Sequence, residues 1–282
     1  MTITNMQGLP EAIVRAVSDD RHPYEENRYS VTELLKPTRE IVLSRRHSDE
    51  LTADAADFVP ALLGTAFHAL MEAQGHGCRT YTEEPVAWKF GDVTVSGVMD
   101  LLDLDKFEIL DYKTCSASKC MKGQTDDWRK QLLTYAYLFY LNSGKLMDRI
   151  RVVAVLKDWS KIKAATNPSY PQSPVWVWSQ RVEDSDIDWI DGWLRAKLAD
   201  IKAAETELPE CSCEERWNDG PTYAVYKKPG DARAAKVFRD PSEADAFCTQ
   251  VGGYVVERPG DDVKCSHYCP VAAICRRKEA NG

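Results

Sequence analysis

Val95-Ser96-Gly97-Val98-Met99-Asp100, followed shortly by Phe107-Glu108-Ile109-Leu110-Asp111-Tyr112-Lys113, is the stretch that decides the fold. Each run has the apolar and β-branched content of a strand. Residues 101–106, with Asp103 and Asp105, read as the turn between them. Such a hairpin brings Asp100 near Asp111. Strand side chains alternate, so Asp111 and Lys113 share one face while Leu110 and Tyr112 turn to the other, into a core. Two carboxylates and an ammonium on one face are costly to bury without a task. Carboxylate oxygens suit a hard cation such as Mg²⁺, and a lysine beside them suits positioning or deprotonating a water. Asp-x-Lys alone is common on solvated strand edges, so the surrounding elements decide its meaning.

Upstream, residues 62–72 (Leu-Leu-Gly-Thr-Ala-Phe-His-Ala-Leu-Met-Glu) read as an amphipathic helix. Gly64 and His68 lie one turn apart, which leaves room for another backbone beside the imidazole. Glu72, a further turn on, reads as a solvent-side neighbour rather than a ligand. Residues 86–90 are the expected first strand. Downstream, residues 126–141 read as a helix with Gln131 and Tyr135 on its inner side. Residues 150–156 are the β-branched run of a buried strand.

In this order, Gly64-x-x-x-His68, Gly97-x-x-Asp100, Asp111-x-Lys113 and Gln131-x-x-x-Tyr135 resemble the RecB-type branch of the PD-(D/E)XK nucleases. The likeness covers roughly residues 60–160. Met99 stands where other branches carry proline, as is usual for the RecB type. Tyr29-Ser30-Val31-Thr32-Glu33-Leu34-Leu35 and Glu214-Glu215-Arg216-Trp217 further resemble exonuclease-like proteins of bacteriophages. The resemblance implies an α/β fold with a restriction-endonuclease-like αβββαβ core. It implies metal-assisted hydrolysis of DNA, with Mg²⁺ (or Mn²⁺) held by His68, Asp100, Asp111 and the backbone carbonyl of Tyr112, one ion or two. Lys113 would orient the water or stabilise charge on the phosphate. Gln131 and Tyr135 would sit beside the scissile strand, holding the site's shape or the DNA backbone. The implied partners are DNA ends, single- or double-stranded, and phage recombination or replication proteins. Two rival readings are a DNA-trimming nuclease of CRISPR adaptation and a non-cleaving DNA-binding or protein-interaction module on the same fold. The complete set His68, Asp100, Asp111 and Lys113 weighs against the second.

The chain has nine cysteines. No apolar run approaches the roughly 18 residues of a membrane span, and the N-terminus does not read as a signal peptide. The expected setting is the cytoplasm, where structural disulfides are rare. Cys265-Ser266-His267-Tyr268-Cys269-Pro270-Val271-Ala272-Ala273-Ile274-Cys275 therefore reads as a set of metal or cluster ligands. The resemblance implies a 4Fe-4S cluster that pins the C-terminal segment to the nuclease core. The fourth cysteine of its best-known members precedes the histidine helix, but this chain has none before Cys78, which weighs against close kinship with the CRISPR enzymes. Cys211 and Cys213 are then the candidates, with Cys211 preferred for the Pro-Glu-Cys context shared with the phage-type proteins. Zn²⁺ is the rival occupant, with His267 able to replace one thiol. Cys78, Cys115, Cys120 and Cys248 read as unligated, with Cys115 nearest the active site.

The expected organisation is an N-terminal arm and helical lead-in over 1–59, the nuclease core over 60–208, and a small cysteine-ligated α+β elaboration over 209–282. Within the last, strands are expected at 223–227, 235–238 and 253–257, and a helix at 242–250. The net charge of −8 excludes a uniformly basic nucleic-acid binder. Local clusters can still line a channel: Lys36, Arg39, Arg45, Arg46 and His47; Lys119, Lys122, Arg129 and Lys130; Lys157, Lys161 and Lys163; Lys227, Lys228, Arg233 and Lys236. Trp128, Trp159, Trp176 and Trp178 are candidates for stacking on bases or, more simply, for the core.

Overall fold

The computed structural model describes residues 1–18, 24–74 and 77–280, and its contacts divide the chain into Met1–Glu207 and Leu208–Gly282. The strands of the first unit are β1 (Thr2–Thr4), β2 (Arg28–Ser30), β3 (Thr52–Asp54), β4 (Thr80–Phe90), β5 (Val93–Asp103), β6 (Glu108–Cys115), β7 (Arg149–Leu156) and β8 (Val175–Arg181). Its helices are α1 (Glu11–Ser18), α2 (Val31–Leu34), α3 (Thr38–Arg46), α4 (Ala55–Glu72), α5 (Ala117–Met121), α6 (Asp126–Ser143), α7 (Lys161–Thr166) and α8 (Asp184–Ala203). The result is a mixed α/β fold around a central mixed sheet.

β5 organises that sheet. β4 runs antiparallel along one of its edges, with Thr80 opposite Asp103 and Phe90 opposite Val93. Its other edge is shared: β2 pairs in parallel with Thr94–Ser96, while β6 pairs antiparallel only at Leu101–Asp103. β6 then lies parallel to β7 along its whole length, and β8 closes the sheet antiparallel to β7. A parallel pair needs a long crossover, which α5 and α6 supply. Leu132, Leu133 and Leu138 of α6 are fully buried, as are Ile109 and Ile150 of the sheet and Ile190 and Leu194 of α8, and α6 contacts β6, β7 and α8.

Several boundaries differ from the sequence expectation for local reasons. α4 starts at Ala55 because Asp54 caps it: its carboxylate accepts from the Ala56 amide at 3.1 Å, and Asp57 accepts from the Asp54 amide. β4 starts at Thr80 and runs through Pro85, which an edge strand tolerates. β5 continues to Asp103, whose carboxylate takes the amides of Asp105 and Lys106 at 3.0 Å each and so shortens the turn. The faces of β6 are also reversed in depth. Ile109 and Asp111 lie on the buried side under α6, whereas Leu110 and Tyr112 are half-buried, with Phe67 of α4 edge-on to Tyr112 at 5.8 Å. A β-carbon at Gly64 would meet only Thr114 Oγ1 at 3.8 Å, so no backbone approaches there.

In the second unit β9 (Thr222–Tyr226), β10 (Lys236–Phe238) and β11 (Tyr254–Arg258) form an antiparallel sheet in the order β10-β9-β11. α9 (Pro241–Val251) starts at the Asp240 cap and ends at Gly252, whose φ of 70° glycine adopts without strain. Its Phe247 packs with Val225 and Phe238. α10 (Val263–His267) and α11 (Ala272–Ala280) follow. No described helix is long and apolar enough to cross a membrane.

Candidate active site

β5 and β6 part beyond Leu101 and Leu110, where their register would next set Asp100 against Asp111. The Tyr112 amide donates instead to Asp100 Oδ2 at 2.6 Å. A side-chain carboxylate thus stands where a strand carbonyl would, and the hairpin opens into a wedge. Gly97 lies on the same edge of β5, between the β2 and β6 pairings. A β-carbon there would come within 2.5 Å of Tyr135 Cε1, so only glycine lets the tyrosine ring close the back of the wedge.

The wedge gathers every side chain expected in the catalytic set. His68 Nδ1 lies 3.4 Å from Asp100 Oδ1, and that contact holds the imidazole's pKa above its usual range despite burial. Asp111 is only 1% exposed. Its Oδ1 accepts from Lys113 Nζ and from Gln131 Nε2, each at 3.1 Å. The same ammonium forms an ion pair with Oδ2 at 2.8 Å. Burial pushes the Asp111 carboxyl up to about 6, against the pull of Lys113 and with the help of Asp100. Gln131 also donates to the Tyr135 hydroxyl at 3.2 Å. Both residues are buried, at 6% and 4% exposure.

Sequence reasoning missed Glu83. One ligand atom from each of His68, Glu83 and Asp100 lies within 4.8 Å of the others. Asp111 is outside that trio. Partial loss of solvent first, and then the carboxylates of Asp100 and Glu72, raise the Glu83 pKa, against the pull of His68. Glu83-Glu84-Pro85 precedes the residues expected as the first strand, and its proline hid the strand that carries Glu83. The donors suit a hard divalent cation: carboxylate oxygens and one imidazole.

Some of the expected DNA-facing cations are engaged within the fold. Arg45 is clamped by Glu33 at 2.7 Å and lies 3.8 Å over the Tyr29 ring. Lys119 pairs with Asp127, and Arg129 pairs with Asp186. Trp128 is buried against Trp176.

In the second unit, burial raises the Cys211 thiol to about 11, reinforced by Glu215 and then by the thiols of Cys265, Cys269 and Cys275. All four cysteines are half-buried, while Cys213 is exposed and accepts a contact from Arg216 at 3.5 Å. In the first unit, Cys115 and Cys120 are buried with sulfurs 3.6 Å apart.

The profile of the PD-(D/E)XK nuclease superfamily matches residues 74–276. The chain belongs to that superfamily. The matched PD-(D/E)XK segment contains Glu83, Asp100, Asp111, Lys113, Gln131 and Tyr135, and His68 precedes it. PD-(D/E)XK nucleases act on DNA with divalent metals. Among solved structures, SSO0001 is similar at 17% identity and a TM-score of 0.48, over 67% of this chain and 84% of that one. A Eubacterium rectale protein provisionally assigned as an exonuclease gives 11% identity and a TM-score of 0.33, over 56% of this chain and 57% of its own. No curated protein matches the chain.

Proposed function

We propose that this PD-(D/E)XK protein is a divalent-metal-dependent DNA exonuclease of the RecB type, phage-encoded, acting on DNA ends in recombination, repair or genome processing in the host cytoplasm. The observation that carries this reading is the wedge, where His68, Asp100, Asp111 and Lys113 converge over the Gln131–Tyr135 pair. A divalent cation held by His68, Asp100, Asp111 and the Tyr112 carbonyl would lower the pKa of a water and polarise a phosphoryl oxygen. The chain's own groups do the rest. Lys113 keeps N–H donors beyond the one on Asp111, and these orient the water and stabilise negative charge on the phosphate. Gln131 and Lys113 hold the Asp111 carboxylate in place. Asp100 fixes the strand backbone through Tyr112 while presenting Oδ1 to His68.

A 4Fe-4S cluster on Cys211, Cys265, Cys269 and Cys275 is part of the same proposal, with Zn²⁺ as the rival. The electrostatic effect of Cys265, Cys269 and Cys275 on Cys211 supports the set, and the exposure of Cys213 favours Cys211 as the fourth ligand. Bound there, the cluster would cross-link the segment after Leu208 to the helices near the chain's end. The decisive assay is incubation of the protein with 5′- and 3′-labelled single- and double-stranded DNA in Mg²⁺, Mn²⁺ or EDTA. Products released progressively from ends, and lost in EDTA, are expected. Cleavage that persists in EDTA, or none under any condition, would overturn the reading.

A further inference from the structure

We infer that Glu83 is a ligand of the divalent cation in the wedge, held against Asp100 by a strained residue of β4; this rests on the metal-dependent reading above. β4 keeps one register along β5, with Thr82 opposite Leu101 and Glu84 opposite Met99. That register sets Glu83 directly across from Asp100, and there alone the ladder pairing is missing between those two neighbours. Glu83 has φ of 49°, a left-handed conformation that non-glycine residues adopt rarely and at a cost. Like charges directly opposed across two strands are also unfavourable. The fold therefore carries two local burdens at one residue. His68 relieves the charge conflict only in part, because its Nδ1 faces Asp100 Oδ1.

A divalent cation removes the charge conflict by lying between the carboxylates. The carboxylate of Glu83 and its two neighbours are already close enough to share one ion. Asp111, 1% exposed, lies outside this trio and is held by the Lys113 ammonium at 2.8 Å. Glu83 itself is exposed, so an ion can enter from its side without unfolding the strand. The ligand class is a hard divalent cation, Mg²⁺ or Mn²⁺, and the extra oxygen distinguishes this site from one built on His68, Asp100 and Asp111 alone.

The test measures Mn²⁺ binding by the full-length protein without DNA, by calorimetry or by electron paramagnetic resonance of free Mn²⁺. Glu83→Gln and Glu83→Gly should each weaken affinity roughly tenfold or more while leaving circular dichroism unchanged. Glu83→Gly should also raise the unfolding temperature of the metal-free protein, because glycine adopts positive φ without strain. Affinity within about twofold of wild type in the Gln variant, alongside loss of binding in Asp100→Ala, would refute the role of Glu83 and leave the metal reading standing. A folded wild-type protein that binds no Mn²⁺ would overturn both.

Discussion

Asp111→Asn should stabilise the metal-free protein while removing its response to Mg²⁺. Burial lifts the Asp111 carboxyl from 3.8 to about 6, so the folded chain holds that proton more tightly than the unfolded one. Stability from this group therefore rises as pH falls through 6 towards 4, and declines as pH rises through that window. Each tenfold change is worth about 1.4 kcal/mol, so the ionised carboxylate burdens the fold above pH 7 by an amount on the order of 3 kcal/mol. Asparagine is neutral and keeps an oxygen for Gln131 or Lys113, and the pull of the ammonium is already contained in the value of about 6. A gain of up to about 3 kcal/mol follows, or roughly 6–12 °C in the melting temperature of a unit this size. Thermal unfolding in EDTA reads it directly. The variant should melt above wild type near pH 7.5, and the gap should shrink by about half near pH 5 and close towards pH 4, where the unfolded carboxyl is protonated too. With Mg²⁺ at about 100 times its Kd, wild type should gain about 2.7 kcal/mol and the variant little. A variant that melts below wild type in EDTA, or a gap that does not shrink with falling pH, would refute the argument.

Lys113→Ala should lower metal-dependent cleavage by ~10²-fold or more while Mn²⁺ binding persists, since the ammonium acts on water and phosphate; single-turnover cleavage alongside calorimetry separates the two. Gly97→Ala should destabilise the first unit by about 1–3 kcal/mol through the clash with Tyr135, and Tyr135→Leu in the same chain should recover part of that loss in thermal melts. Anaerobically purified protein should contain iron with broad absorption near ~400 nm. Cys269→Ser should remove that content, and Cys213→Ser should not. Equal metal content in both variants would discard the four-cysteine set.

The order of elements from α4 to β7 was legible because each carried its own periodicity. The hairpin was legible because Asp100, Asp111 and Lys113 are polar positions in apolar strands. Asp103 and Phe107 shift the turn, since a carboxylate capping two amides looks like any loop aspartate in sequence. Glu83 was hidden for a different reason: its role depends on a left-handed φ inside a strand and on facing Asp100, neither of which has a local pattern. The β2–β5 pairing spans only three residues, too short for periodicity to reveal. The role of Gly64 was misjudged because glycine spacing on a helix does not say what the helix faces. Gly97 was the informative glycine, made so by Tyr135 from a distant helix.

The wedge between β5 and β6 also fixes an order of assembly. The bond from Tyr112 to Asp100 joins residues twelve apart, so it forms with the hairpin and closes only a short loop. The parallel pairing of β6 with β7, and the Gln131 contact to Asp111, must wait for the whole α5–α6 crossover, a slower closure between distant parts of the chain. Asp111 keeps its water until that helix docks, so the desolvation of its charge belongs to a late step of folding. The same carboxylate that readies the site for an ion thereby acts as a brake on closure of the unit, released by a proton, by a cation, or by exchange for a neutral amide.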